Sequence, residues 1–315
     1  MKKILLITTG GTVASRETAH GLRPVLDGEK LRAATGAAEG AIDICDLLSL
    51  DSSNIAPVHW QMIARAIAVQ RAYYDGFIVT HGTDTMAYTS AALYYMLDGI
   101  DRPVVLTGSQ RPFEAQDTDA GANLHLAYRV AVSGRRGVFL AFGGRIIRGN
   151  AAKKLYTAED DAFRSIGAVE IDLGADASET QHAEVETFRL HDALDERVAV
   201  IKLYPGMSPG VIRAHIGVGY RGLIIEGFGS GGVPGADAAD NILPALAYAR
   251  DAACTVVLTT QCVYDGADLS RYEVGRRAAE CGAISGGTLP VEALYPLLML
   301  RLVGTPAGET VTHLF

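Results

Sequence analysis

Residues 2–15 read KKILLITTGGTVAS. Two lysines lead into an apolar run and two threonines, and the run breaks at Gly10 and Gly11 before a further hydroxyl, Thr12. Apolar residues at consecutive rather than alternate positions mark a strand covered on both faces, as in a parallel sheet. Paired glycines let the chain turn sharply and let its backbone approach a neighbour or a ligand. The segment therefore reads as the first strand of an α/β sheet, ending in a turn that presents Thr12 at the mouth of that sheet.

The same pattern returns along the chain. After KILLIT (3–8) come GFIVTH (76–81), PVVLTG (103–108), GVFLAF (137–142), VAVIKL (198–203), GLIIEG (222–227) and TVVLTT (255–260). Amphipathic stretches lie between them. In PVHWQMIARAIAVQRAYY (57–74), Trp60, Ile63, Ala64, Ile67 and Ala68 recur at helical spacing, Pro57 suits a first helical position, and Asn54 is a candidate cap. Strands alternating with helices imply an α/β fold with right-handed crossovers. Residues 174–197 are polar and lack a long apolar run. The expected organisation is an N-terminal domain over 1–178, a linker over 179–196 and a C-terminal domain over 197–315. The first is a larger open sheet of mostly parallel strands flanked by helices. The second is a smaller α/β domain with three strands of its own.

The 315 residues are 49% hydrophobic, enough for one or two sizeable cores. A net charge of −8 argues against a general nucleic-acid binder and against docking on anionic lipid. The opening apolar stretch is shorter than the roughly 7–15 residues of a secretory core and ends in Gly-Gly. No run approaches the ~18 apolar residues of a membrane span. Cys45, Cys254, Cys262 and Cys281 form no CxxC pair. Reduced, mostly buried thiols and a cytoplasmic protein are expected.

In open α/β sheets, ligands bind beyond the carboxyl ends of the strands. Thr12 follows the first strand; THGTDT supplies Thr83, Asp84 and Thr85; TGSQRP supplies Ser109 and Gln110; GGRIIRGNAAKK supplies Lys153 and Lys154. Each has a plainer reading. Gly10-Gly11 makes a turn, Thr83 or Asp84 caps the helix that follows, and a lone lysine is solvated. TGGT is neither GxGxxG nor a phosphate loop, so a nucleotide cofactor is unsupported. Coincidence at successive strand ends is what singles out a site. His81 is expected to be structural; His59, His125 and His182 lack metal-ligand spacing. Arg145, Arg148 and Lys153 read as a solvated face.

TTGGTVAS (8–15) with THGTDTMAYTSAAL (80–93) resembles the paired signatures of the L-asparaginase family of threonine amidohydrolases. DSSNIAP (51–57), LTGSQRPF (106–113), DTDAGANLHLA (117–127), RGNAAKK (148–154), YPGMSPGVI (204–212), TTQC (259–262) and GTLPVEAL (287–294) extend the likeness over nearly the whole chain. The cytoplasmic branch is the most similar. The resemblance implies a two-domain α/β enzyme that hydrolyses asparagine to aspartate and ammonia with no cofactor and no metal. It implies that Thr12 is the nucleophile, that Thr83, Asp84 and Lys154 are the second threonine and its acid–lysine partners, and that Ser52 holds the substrate α-carboxylate. Ser53 stands beside it in the pocket, Asp84 also faces the α-amino group, and Ser109 lines the amide end. A homodimer or homotetramer is implied as well.

The chemistry needs such a set whatever the name. An amide is a poor electrophile, so hydrolysis needs an activated nucleophile and a held oxyanion. A threonine hydroxyl is protonated at neutral pH, and a lysine oriented by an aspartate can accept its proton. One departure stands out. The family carries a tyrosine in a Gly-Tyr-x-Pro pattern in its mobile loop; AHGLRP (19–24) places Leu22 there, and no tyrosine occurs before residue 73. Glutamine or another amide as substrate, and a non-catalytic amino-acid sensor with a retained pocket, are the alternatives. The related subunit that releases ammonia from glutamine for tRNA-linked amidation carries a further domain before its first threonine motif, and Thr12 lies too near the start to match it.

Overall fold

Consecutive apolar residues build buried strands wherever both faces of a sheet are covered. The computed structural model describes residues 2–18, 21–24, 28–174 and 187–314, with backbone alone over 14–18 and 21–24. Residues 2–192 and 193–314 fall in two compact units divided between Asp192 and Ala193.

In the first unit, β1 (Ile4–Gly10) is buried at every position. A hairpin, β2 (Ser15–Thr18) and β3 (Gly21–Pro24), follows it. Next come α1 (Gly28–Ala34), β4 (Ile42–Leu50), α2 (Pro57–Gln70), β5 (Gly76–Thr80), α3 (Met86–Met96), β6 (Leu97–Asp98) and β7 (Pro103–Thr107). The unit continues with α4 (Ala120–Ala131), β8 (Gly137–Phe142), β9 (Arg145–Arg148), β10 (Ala152–Lys154), β11 (Phe163–Ser165) and β12 (Arg189–Leu190). The main sheet runs β4-β1-β5-β7-β8-β9 and is parallel except for β9 against β8. Ile4, Leu6, Ile78 and Val105 pack with Leu124, Ala127 and Val130 of α4 on one face.

The order of strands fixes where a ligand can sit. From β1 the chain moves to one side, to β4, and then returns across β1 to β5 and onward in the other direction. The order reverses between β1 and β5, and open sheets bind ligands in a crevice beyond the carboxyl ends at such a point. Thr12 follows β1 and Thr83 follows β5, so both lie at that crevice.

The structure departs from the sequence reading at several points. β4 is an additional strand, hidden because its residues are only half-buried and Asp43 and Asp46 interrupt the apolar run. Pro57 does open α2, but Asn54 does not cap it. The N-cap is Ala56, whose N–H donates to His59 Nδ1 at 2.9 Å. Thr83 and Asp84 do not cap α3, whose N-cap is Thr85. Of the cysteines only Cys254 is buried, and burial pushes its thiol up to about 12; Cys262 is exposed.

Part of the stretch read as a linker belongs to the first unit. β12 pairs with β6, the Arg71 guanidinium lies over the Phe188 ring, and Arg65 pairs with Asp192 at 2.7 Å. Residues 175–186, with His182, lie outside the described residues.

The second unit holds β13 (Val198–Lys202), α5 (Gly210–Gly217), β14 (Gly222–Gly227), α6 (Leu243–Asp251), β15 (Thr255–Thr260), α7 (Glu273–Glu280), β16 (Ala283–Ser285) and α8 (Val291–Val303). Its sheet is parallel, β13-β14-β15-β16. The fourth strand, three residues long, is too short to read as an apolar run. No helix among the described residues is long and apolar enough to cross a membrane.

Candidate active site

The crevice is built by close backbone approach. Gly10 and Gly11 have φ of +102° and +82°, a region costly for residues with a Cβ. A Cβ on Gly10 would lie 2.4 Å from the Leu50 carbonyl oxygen, and one on Gly11 would lie 2.3 Å from the Gly82 nitrogen. A Cβ on Gly82 would meet Ser52 Oγ at 2.6 Å. The ends of β1, β4 and β5 therefore touch through glycine, and a threonine follows both Gly11 and Gly82. Thr12 opens a 3₁₀ turn, Thr12–Ala14, and is half-buried.

Ser52 is buried beside Gly82 and sits in a 3₁₀ turn, Ser52–Asn54, capped by Asp51, whose carboxylate accepts from Ser53 N at 2.8 Å. Thr85 Oγ1 donates to the Ser52 carbonyl at 2.8 Å, tying this turn to the connection after β5. Ser53 is exposed at the rim. The structure thus brings Ser52 to the same place as Gly11 and Gly82.

Lys154 comes from the other side. It ends β10, opposite Phe163 of β11. Phe163 is buried and packs edge-on against Phe142, with ring centroids 5.1 Å apart. From this anchored strand Lys154 Nζ donates to Thr83 Oγ1 at 2.8 Å and to Asp84 Oδ1 at 2.7 Å. The Asp84 side chain is 63% exposed and that of Lys154 16%. An ion pair so exposed on one side adds little to stability, so its effect is orientation: the ammonium is held against the Thr83 hydroxyl.

Ser109 is buried, and its hydroxyl donates within its own loop to the Arg111 carbonyl. The Asp119 carboxylate holds that loop, accepting from Gln110 N at 2.9 Å, Arg111 N at 3.1 Å and Asn123 Nδ2 at 3.0 Å. Asn123 also donates to the Gly108 carbonyl at 3.0 Å and accepts from Gly143 N at 2.9 Å. Asp119 and Asn123 lie in a motif quoted for the family likeness, and nothing local in the sequence marks them as supports of the site. Gln110 is legible only as a residue past a strand end. The Thr83 hydroxyl donates to its Oε1 at 3.2 Å, a link between strand ends that no local pattern announces.

His81 is fully buried and structural. Its Nδ1 lies 2.7 Å from the Gly82 carbonyl and must carry the proton, since a carbonyl only accepts. Nε2 then accepts from Thr89 Oγ1 at 2.9 Å, and that oxygen accepts from Trp60 Nε1 at 3.0 Å. Burial lowers the His81 pKa from 6.5 to about 4. The unfolded chain therefore binds a proton between those values that the folded chain refuses. Stability is complete above about pH 6.5 and falls as pH drops to about 4, by roughly 3 kcal/mol for this group. His81→Gln is expected to flatten the fall of the melting temperature over that window. An unchanged slope would count against a buried neutral imidazole.

Arg145 is not part of a solvated face. It binds Asp161 at 2.6 and 2.9 Å and Glu170 at 2.9 Å. The two carboxylates hold its guanidinium charged. Arg148 is exposed.

Hydroxyls, an ammonium and a carboxylate at the switch point of a parallel sheet are the equipment for opening an amide. Fold and site together define an amidohydrolase. Two family models match the sequence, the N-terminal asparaginase domain over residues 3–185 and the glutaminase/asparaginase C-terminal domain over 197–315. The chain belongs to the asparaginase family. It is 39% identical to the L-asparaginase of Thermococcus kodakarensis, across 98% of this chain and 95% of that one. It is 34% identical to a glutamyl-tRNA(Gln) amidotransferase subunit of Pyrococcus horikoshii, across 99% of this chain and 74% of the other. The solved structure of the thermostable L-asparaginase from Thermococcus kodakarensis superposes with a TM-score of 0.88 at 37% identity, covering 98% of this chain and 99% of that one.

Proposed function

We propose that the chain is an L-asparaginase, hydrolysing L-asparagine to L-aspartate and ammonia with Thr12 as nucleophile. The observation that carries this reading is Lys154, held between the Thr83 hydroxyl and the Asp84 carboxylate at the crevice that Thr12 borders. The Thr12 oxygen attacks the side-chain amide carbon, and its proton passes to the Thr83–Lys154 pair and on to the leaving ammonia. Water then releases aspartate from the ester on Thr12. Backbone N–H groups of the glycine turns hold the oxyanion. Ser52, Ser53 and Asp84 bind the α-carboxylate and α-amino groups, and Ser109 lines the amide end. The scheme uses no cofactor or metal. A cytoplasmic homodimer or homotetramer belongs to the same reading.

Ammonia release from the purified protein, with asparagine and glutamine titrated separately, tests it. Hyperbolic turnover of asparagine is expected, with kcat/KM at least about tenfold above glutamine. One methylene in a shaped pocket is worth about 1–3 kcal/mol. No release from asparagine, together with a rise in melting temperature on adding it, would replace the enzyme by a sensor.

The likeness to a glutamyl-tRNA(Gln) amidotransferase subunit, 34% identical, favours glutamine as the second reading; the same titration separates the two. In the hairpin backbone Leu22 stands opposite Glu17, and its side chain lies outside the described residues. Leu22→Tyr is expected to raise kcat for asparagine severalfold if a phenolic relay is what the loop lacks. An unchanged kcat would mean that another group or water assists Thr12.

A further inference from the structure

Gln110 is a polar side chain that the reaction scheme leaves unused, and its amide is locked in one sense. Nε2 donates to the main-chain carbonyls of Thr157 at 3.2 Å and Glu159 at 3.1 Å. Carbonyl oxygens only accept, so turning the amide over would set oxygen against oxygen at two points. Oε1 therefore faces Thr83, and the Thr83 hydroxyl donates to it at 3.2 Å. The main-chain N–H of Gln110 is fixed in turn by both oxygens of Asp119, at 2.9 and 3.1 Å.

A hydroxyl has a single proton to give. With that proton on Gln110, the Thr83 oxygen meets Lys154 Nζ through a lone pair, at 2.8 Å. Thr83 is then an acceptor toward Lys154, with a further lone pair open toward the crevice. We propose that Gln110 is a positioning residue for the reaction: while Lys154 is an ammonium it holds the Thr83 oxygen, lone pair outward, between Lys154 and the incoming nucleophile, so that once the lysine has lost its proton the Thr83 hydroxyl needs only to turn about its own C–O bond to donate to it. It also joins Thr83 to the segment after β10, so the strand that carries Lys154 and the turn that carries Thr83 keep one spacing. Gln110 undergoes no covalent change. The inference rests on the hydrolase reading above, because it assigns Thr83 and Lys154 to the proton path.

Removing Oε1 takes away the anchor that keeps the Thr83 oxygen in line with Lys154. Substrate still binds, but the reacting groups are aligned less often, so kcat falls while KM holds. Gln110→Leu is expected to lower kcat for asparagine about 10-fold with KM within about threefold, the loss of one oriented hydrogen bond. Gln110→Glu keeps an acceptor and adds a carboxylate beside Thr83, near an ammonium that Asp84 already faces. The added charge favours the ammonium form and is expected to move the rising limb of the pH–rate profile to higher pH. A purely structural role would not shift that limb.

Both variants are to be compared with the parent in kcat, KM, pH–rate profile and melting temperature. In parallel, the 15N resonance of Lys154 Nζ, assigned by its loss in Lys154→Arg, is followed against pH. A Leu variant within twofold of the parent kcat, or a Glu variant that leaves both the limb and the Lys154 resonance unmoved, overturns the proposal. If the parent releases no ammonia, the hydrolase reading fails by itself. The resonance still decides: a Glu variant that leaves it unmoved overturns the role of Gln110, and one that moves it supports the coupling to Lys154.

Discussion

Lys154→Met lowers kcat for asparagine by roughly three orders of magnitude or more and leaves the fold in place. The lysine side chain ends in one ammonium that meets both the Thr83 hydroxyl and Asp84. Methionine keeps much of the length and the apolar stem but removes the donor, so Thr83 keeps only its bond to Gln110 and the proposed proton path is broken. β10 is held by its pairing to β11 and by the buried Phe163, neither of which involves the ammonium. Thr12→Ala and Thr83→Ala are expected to fall by a similar factor. Residues that act as a unit lose rate non-additively, so Thr83→Ala combined with Lys154→Met falls little further than either alone. The measurement is steady-state ammonia release beside thermal unfolding. Turnover within tenfold of the parent, in any of the three single variants, removes that residue from the mechanism.

Gly11→Ala is the second large effect, and it strikes stability and rate together. A Cβ there sits 2.3 Å from the Gly82 nitrogen and 2.5 Å from its Cα, with φ at +82°. The obstacle is backbone, so no rotamer change relieves it. Left-handed backbone costs an alanine about 1–2 kcal/mol, and overpacking adds about 1–3. The sum, about 2–5 kcal/mol, lowers the melting temperature by roughly 5–15 °C. The relief available is to part the ends of β1 and β5, which separates Thr12 from Thr83. A shift near 1 Å is enough for about a 100-fold loss in kcat. Gly82→Ala is milder, since its nearest neighbour is the Ser52 side chain and its φ is not left-handed. A Gly11→Ala variant that melts and turns over like its parent would show that the two turns are not in contact.

Strands buried on both faces announce themselves, which is why β1, β5, β7, β8, β14 and β15 are legible as apolar runs; β13, an edge strand with Val200 exposed, is legible because its sequence stays apolar until Lys202. β4, also an edge strand, is not, because its sequence interleaves Asp43 and Asp46 with leucines and isoleucines. Thr12, Thr83, Asp84 and Lys154 can be picked out because each stands just past a strand or ends one, where parallel sheets bind ligands. The meeting of Thr83, Asp84 and Lys154 requires the fold, since 71 residues separate Thr83 from Lys154. Gln110 also stands past a strand, but its role is hidden for the same reason: its partners Thr83, Thr157 and Glu159 come from two other connections of the chain. Arg145 misleads because an arginine between strands looks solvated until Asp161 and Glu170 are folded against it.

The strand order also dictates how this protein comes off the ribosome. β1 can pair with β4 early, but its other edge stays open until β5 has emerged, since β5 is its neighbour on that side. An open, apolar edge invites pairing with other chains. Lys154 follows Thr83 by 71 residues, an interval of roughly 4–14 s at about 5–20 residues per second. β10 needs β11, which ends at Ser165, before it is paired. A nascent chain halted short of that point carries both threonines and no anchored lysine, so under the proposed mechanism hydrolysis waits for β11. The exposed interval before then is when a chaperone has the most to hold.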